Sequence, residues 1–228
     1  MKLAWDVVGE HYYTTGVDKT ILFTYNNTTK KYNNGVAWSG VTGITESPSG
    51  AEATKLYADN IPYLNLRSAE EFGASITAYQ SPDEFDACDG TSTLAPGVKI
   101  SQQARQMFGL AYRVKVGNDT EGTDFAYEIH LVYGCTASPS ERQRQTVNDS
   151  PEAAELSWEI TTTPVDVPGF KPTAHVVISS RESDAAKLKI FEDKLYGTDG
   201  EGETAGTDSQ LLLPNEVAAI FATTTPQG

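Results

Sequence analysis

Basic residues are scarce in this chain: 17 Lys and Arg stand against 31 Asp and Glu, giving a formal net charge of −14. That shortage excludes a protein built to grip a nucleic-acid backbone or an anionic bilayer, because both depend on Lys/Arg excess. Sulfur is scarce too. Cys88 and Cys135 are the only cysteines, too few for a disulfide-stapled scaffold, and in a chain made in the cytosol they read as free buried thiols. The three histidines, His11, His130 and His175, lie far apart. Strand-face or core roles are therefore expected of them, although sequence separation does not forbid a cluster in space.

Long apolar runs are absent as well. No window approaches the ~18 apolar residues of a membrane span, and only Leu3-Ala4-Trp5 separates Met1-Lys2 from Asp6, so neither a membrane segment nor a secretory leader is expected. Catalytic signatures are missing: there is no Gly-x-Ser-x-Gly, His-Glu-x-x-His, P-loop or dinucleotide fingerprint. A glycosidase-type carboxylate pair is defined by spatial separation, which sequence leaves open. Two oxygen-rich stretches, Asp83–Gly90 and Asn118–Asp124, lack the spacing that wraps Ca²⁺ and read as Asx-turn loops with acids facing water. The expectation is a non-enzyme without cofactor or metal.

What remains is ordinary globular material. The chain has 228 residues and is 39% hydrophobic, which suits one domain with long excursions. The acidity is uneven: residues 1–114 carry a net −3 and residues 115–228 a net −11. The dominant period is two. Phe72, Ala74, Ile76 and Ala78 alternate with more polar neighbours in Glu71–Tyr79; Phe125, Tyr127, Ile129, Leu131 and Tyr133 do so in the next such run. Leu156, Trp158 and Ile160 oppose Glu155, Ser157, Glu159 and Thr161, and Leu110, Tyr112, Val114 and Val116 form a further face. Each is a strand with one core side and one wetted side. With 26 Thr and 11 Tyr favouring pleated surfaces, the chain reads as mostly β and antiparallel.

One helix is well marked at 183–197. Ser183 serves as its N-cap with Asp184 in the first turn, Gly197 follows its last residue, and Ala185, Leu188, Phe191 and Leu195 form its stripe. Lys189 and Asp193 are placed to pair one turn apart. A short second helix is expected from Pro214, showing Val217, Ile220 and Phe221. Between them, 198–210 holds Asp199, Glu201, Glu203 and Asp208 with no base, an acidic solvated linker, and 211–228 forms a C-terminal segment with a loose end. Residues 33–60, interrupted by Gly40, Gly43, Pro48 and Gly50, read as a long hairpin with strands near Val36–Ile44 and Ala51–Tyr57. A loop of that length in a compact domain ordinarily has a task.

At this point the residues become recognisable. Trp5-Asp6-Val7-Val8-Gly9-Glu10, Thr15-Gly16-Val17, Gly43-Ile44-Thr45-Glu46-Ser47-Pro48-Ser49-Gly50 and Leu56-Tyr57-Ala58-Asp59-Asn60 occur in order. They are followed by Glu71-Phe72-Gly73-Ala74, Pro82-Asp83-Glu84-Phe85, Phe108-Gly109-Leu110-Ala111-Tyr112-Arg113, Gly134-Cys135-Thr136-Ala137, Val147-Asn148-Asp149-Ser150-Pro151 and Leu195-Tyr196-Gly197. Over residues 3–197 the ordered set resembles the major tail (tail-tube) proteins of long-tailed, non-contractile bacteriophages of Gram-positive bacteria.

The resemblance implies an antiparallel β-sandwich with a flanking helix, forming 1–228 as a single domain of a virion tail assembled in the host cytoplasm. It implies hexameric rings stacked into a tube that conducts DNA without binding it specifically, with tape-measure, terminator and distal tail proteins as partners. Residues 1–20, with Trp5 and Tyr13, would be an N-terminal arm reaching a neighbour. The 33–60 hairpin, with Val36, Trp38, Val41 and Ile44 exposed in an isolated subunit, would connect rings. The lumen candidates are Glu71, Ser75 and Thr77, then Glu128, Glu155 and Glu159, since a carboxylate-lined wall offers phosphate no cationic partner. A tail terminator or another ring-forming virion protein is the nearest alternative. From a different class, a carbohydrate-binding or adhesin-type sandwich would use a strip of Tyr12, Tyr13, Tyr25 and Tyr32.

Overall fold

The computed structural model describes residues 3–142, 144, 146, 149, 153–200 and 205–222. Fifteen strands and three α-helices follow one another in the order β1 (Tyr13–Asn26), β2 (Lys31–Tyr32), β3 (Val36–Ala37), β4 (Val41–Glu46), β5 (Ser49–Gly50), β6 (Ala53–Ala58), β7 (Ile61–Arg67), β8 (Glu70–Glu71) and β9 (Gly73–Ala78). Then come α1 (Asp86–Asp89), β10 (Ser92–Ala95), β11 (Val98–Ile100), β12 (Phe108–Asn118), β13 (Gly122–Ala137), β14 (Leu156–Thr162), β15 (His175–Ser179), α2 (Ala185–Tyr196) and α3 (Pro214–Phe221). The protein is mostly β, as the alternation required.

Nine strands form one antiparallel sheet in the order β2-β1-β12-β13-β14-β9-β4, with β15 added to β13 and β3 to β1. The sheet doubles over because β13 serves two partners in succession. Its Glu128–Val132 pairs with β15, and its Cys135–Ala137 pairs with β14. The bend between them falls at Gly134, which has φ +60°; a Cβ there would lie 2.2 Å from the Thr163 carbonyl oxygen. Only glycine meets both conditions.

Doubling over creates two cores. Between the layers, Ile76 and Ala78 of β9, Trp158 and Ile160 of β14, and Leu110 and Tyr112 of β12 bury around Trp38 and Phe85. On the far side of the β1-β12-β13 layer, Ile129, Leu131 and Tyr133 pack against Leu188, Phe191 and Leu195 of α2 and Val217 of α3. Helix α2 begins two residues inside the expected span, because Asp184 rather than Ser183 is its N-cap. Asp184 caps it, accepting hydrogen bonds from Ala186 N (3.1 Å) and Lys187 N (3.0 Å), and Lys189 Nζ donates to Asp193 at 2.9 Å.

Two expected boundaries are corrected. The N-terminal segment free of the sheet ends at Tyr12, not near residue 20, because Tyr13 already pairs with Gly117 and the register continues along β12. The excursion is not the whole of 33–60. Residues 36–37 pair with β1 and residues 41–46 with β9, so the first half of the stretch belongs to the body. The strand expected near Ala51–Tyr57 forms as β6, but it pairs with β7 beyond residue 60, and the projecting element is β6–β7, entered through the short β5–β8 ladder. Of the acidic linker, Thr198 bridges Thr207; Glu201 and Glu203, and 223–228 of the C-terminal segment, lie outside the described residues.

Candidate assembly surfaces and a histidine cluster

The β6–β7 hairpin exposes a dense set of apolar side chains. Its strands register Leu56 against Leu64 and Thr54 against Leu66, and Asp59-Asn60 turns the chain with φ of +52° and +64°, the type I′ geometry that suits a two-residue hairpin loop. Leu56, Tyr57, Ile61, Tyr63, Leu64 and Leu66 are each 44–68% exposed. Leu64 and Leu66 occupy the face opposite Tyr63, so neither side of the ribbon is conventionally polar. A lone two-stranded ribbon is marginal in water, and apolar side chains on both faces make it a contact element. The hairpin carries the exposed apolar surface expected of 33–60, but on other residues. Trp38 is 3% exposed, packed on Phe85 and Trp158, and its indole N–H donates to Gln80 O at 2.8 Å. Val36, Val41 and Ile44 are half-buried, the last two against the same core.

The outer face of β4, β9 and β14 is the second surface. Across the three strands, Thr45, Ser75 and Glu159 stand in one row and Gly43, Thr77 and Ser157 in the next. Thr42 donates its hydroxyl proton to Glu155 and lies 2.9 Å from Thr77 Oγ1. These three strands contain no Lys or Arg, so the face offers hydroxyls and carboxylates alone. Of the lumen candidates, the structure brings Ser75, Thr77, Glu155 and Glu159 together here and puts Glu71 at the hairpin neck opposite Ser49. Glu128 does not join them. It lies on β13 in the other layer, between Val114 and Ser179, with Oε2 3.9 Å from His130 Nε2.

Upstream of Tyr12, the N-terminal segment is tethered to its own subunit through Gly9 and His11. The Asp119 carboxylate accepts from Gly9 N at 3.0 and 3.1 Å and contacts His11 Nδ1 at 3.1 Å, while Asn118 Nδ2 donates to Gly9 O. Asn118 Oδ1 in turn accepts from Thr120 N and Glu121 N, the Asx turn expected of this loop. The Gly9 amide, before other contacts, holds the Asp119 carboxyl below its ordinary range. Beyond the tether, Trp5 is 76% exposed. In the other acidic stretch, Lys99 bridges Asp83 and Asp86, and Arg105 and Arg142 meet Asp89.

The tyrosine strip does not form. Tyr13 and Tyr25 mark opposite ends of β1, about 40 Å apart at strand rise. Tyr12 is sandwiched between Phe125 and Arg181, and the Tyr32 hydroxyl accepts from Gly134 N at 2.9 Å.

One constellation has no sequence signal. His130 Nδ1 lies 3.0 Å from His175 Nε2 and 3.3 Å from Glu46 Oε1, and the Tyr112 hydroxyl donates to the same carboxylate oxygen at 2.8 Å. Rings stack in the order Tyr112, His130, His175, Phe72 between the layers. The β13–β15 register makes the histidines diagonal neighbours, His130 opposite Val177 and His175 opposite Val132, while Glu46 arrives from β4 on the facing layer. Burial lowers the proton affinity of both imidazoles. No protein-family model matches this sequence, and a search of curated proteins finds no significant match.

Proposed function

We propose that this chain is the repeating subunit of a phage tail tube, a tail-tube-type β-sandwich that assembles as hexameric rings stacked along a DNA-conducting channel. The observation that carries the reading is the β6–β7 hairpin, whose six large apolar side chains are solvated in the single subunit. A folded monomer gains nothing from such an element and risks edge-to-edge aggregation; a subunit that stacks on its like buries it. The base-free face of β4, β9 and β14 supplies the complementary property, a wall of hydroxyls and carboxylates past which polyanionic DNA slides without counter-ion release. The exposed segment around Trp5 suits contact with a neighbouring subunit, and tape-measure, terminator and distal tail proteins would cap or fill the tube.

A terminator would share the ring but not the stacking, and the projecting hairpin favours stacking. The carbohydrate-binding alternative loses its support with the divided tyrosines. Negative-stain microscopy of the purified protein at rising concentration decides among these. Hollow tubes of constant diameter are expected; isolated rings at every concentration would assign a terminator, and monomers throughout would end both.

A further inference from the structure

The geometry points to a binding site for one divalent transition-metal ion of the zinc class, held by His130 Nδ1, His175 Nε2 and Glu46 Oε1, which clasps β4 of one layer to β13 and β15 of the other. The site rests on no part of the tail-tube reading.

Three lone-pair donors converge where a protein without a cation has few protons to share among them. All three atoms lie within 4.8 Å of one another. Metal–ligand lengths of about 2.0–2.1 Å at a tetrahedral centre set ligand–ligand edges of about 3.3 Å. The 3.0 Å between the imidazole nitrogens needs a few tenths of an ångström of opening and the 3.3 Å from His130 to Glu46 already fits, while the third edge, from His175 to Glu46, lies within 4.8 Å and must close when an ion draws the exposed carboxylate in.

His130 Nε2 is buried without a hydrogen-bond partner, on a side chain 10% exposed, and the Glu128 carboxylate lies 3.9 Å from it. With a cation bound at Nδ1 the ring carries its proton on Nε2, on the side of Glu128, the arrangement in which metal-bound histidines characteristically offer their other N–H to a carboxylate. The cation also relieves the repulsion between the Nδ1 lone pair and the Glu46 carboxylate 3.3 Å away. Tyr112, donating to Glu46, orients the third ligand.

Two imidazoles and one carboxylate select Zn²⁺, Co²⁺ or Ni²⁺ over Ca²⁺ and Mg²⁺, which demand more oxygen ligands. Glu46 is the exposed member of the set, so the fourth position opens to solvent and takes a water. Because the ligands come from three strands in two layers, the ion acts as a cross-layer clasp.

The test uses the full chain without an affinity tag, titrated with Zn²⁺ by calorimetry and with Co²⁺ by visible absorption. One ion per chain is expected, with Co²⁺ d–d bands of a four-coordinate site and a Tm rise of about 5–10 °C at a hundredfold excess over Kd. His175→Ala should remove the Co²⁺ bands. Glu46→Gln, whose amide oxygen can still accept from the Tyr112 hydroxyl, should weaken Zn²⁺ at least tenfold while keeping the wild-type metal-free Tm within a few degrees. Absence of a stoichiometric ion in the wild type, or Zn²⁺ affinity unchanged in a folded Glu46→Gln protein, overturns the site.

Discussion

Trp38 and Trp158 meet edge to face, ring centroids 5.5 Å apart, at the centre of the core between the two layers. Phe85 completes the group, 4.6 Å from Trp38 and 5.3 Å from Trp158. These three side chains join the β3–β4 connection, the segment before α1, and β14, which are far apart in sequence. Truncation of Trp38 removes both the aromatic contacts and the hydrogen bond to Gln80 O. Trp38→Ala is expected to lower folding stability by about 3–5 kcal/mol, read as a fall in the denaturant midpoint of the unassembled subunit. An unchanged midpoint with lost assembly would return Trp38 to the surface.

The strand alternations were legible because each strand faces a core on at least one side. The period-two run through Ile129, Leu131 and Tyr133 found the face that packs on α2. It could not show that β13 is buried on both faces, Val132 included, since a strand between two layers has no wetted side to mark. The misplacement of the hairpin has the same root. Trp38, Val41 and Ile44 find partners at Ile76, Phe85 and Trp158, and nothing local announces such distant contacts. A usable signal did exist in β7, where Ile61, Tyr63, Leu64 and Leu66 put apolar residues on both faces of a strand flanked by turns. The histidine cluster had none: it depends on the β13–β15 register and on β4 crossing from the other layer.

Breaking the tether should free the N-terminal segment and leave the fold intact. Asp119→Ala removes the carboxylate that accepts from Gly9 N. Faster amide hydrogen exchange at Gly9, with an unchanged Tm, is expected. Slow exchange at Gly9 in this variant would mean that Asn118 alone holds the segment.

The same tether has a defined pH dependence. Gly9 N–H holds the Asp119 carboxyl below the ordinary value of about 3.9, so the folded, tethered state binds the proton more weakly than the free one. The contribution is complete above the unfolded value and is lost as pH falls through the lowered folded value. Gly9 exchange, corrected for the intrinsic rate, should therefore stay constant from neutrality to about pH 4 and rise only below it. A rise well above pH 4 would mean that the Asp119 carboxylate does not hold the segment.

Removal of the projecting hairpin should separate folding from assembly. Gly50 and Glu70 face each other at the neck, so a two-residue Asn-Gly turn can replace residues 51–69 with the ladder preserved. Those side chains lie outside both cores, and the shortened subunit should keep its Tm within a few degrees. Under the tail-tube proposal it should form no tubes at concentrations where the full chain does. Tubes of normal length from the shortened chain would remove the hairpin as the ring-to-ring contact.

Glu159 tests the electrostatic part of the proposal. It lies in the row with Ser75 and Thr45 on a face without Lys or Arg, so Glu159→Lys places a cation where none exists. The side chain is exposed and opposes Ser75 across the strand pair, so the fold should tolerate the change within about 0.5 kcal/mol. In an assembled ring every copy contributes the same cation, and each phosphate that passes exchanges a counter-ion for it. Screening over ~8 Å at physiological salt confines the effect to phosphates near the wall. Tubes should therefore form normally, while DNA ejection slows at low salt and recovers as salt is raised. Ejection at the wild-type rate across that salt series would place Glu159 outside the channel and move the wall to another face of the sheet.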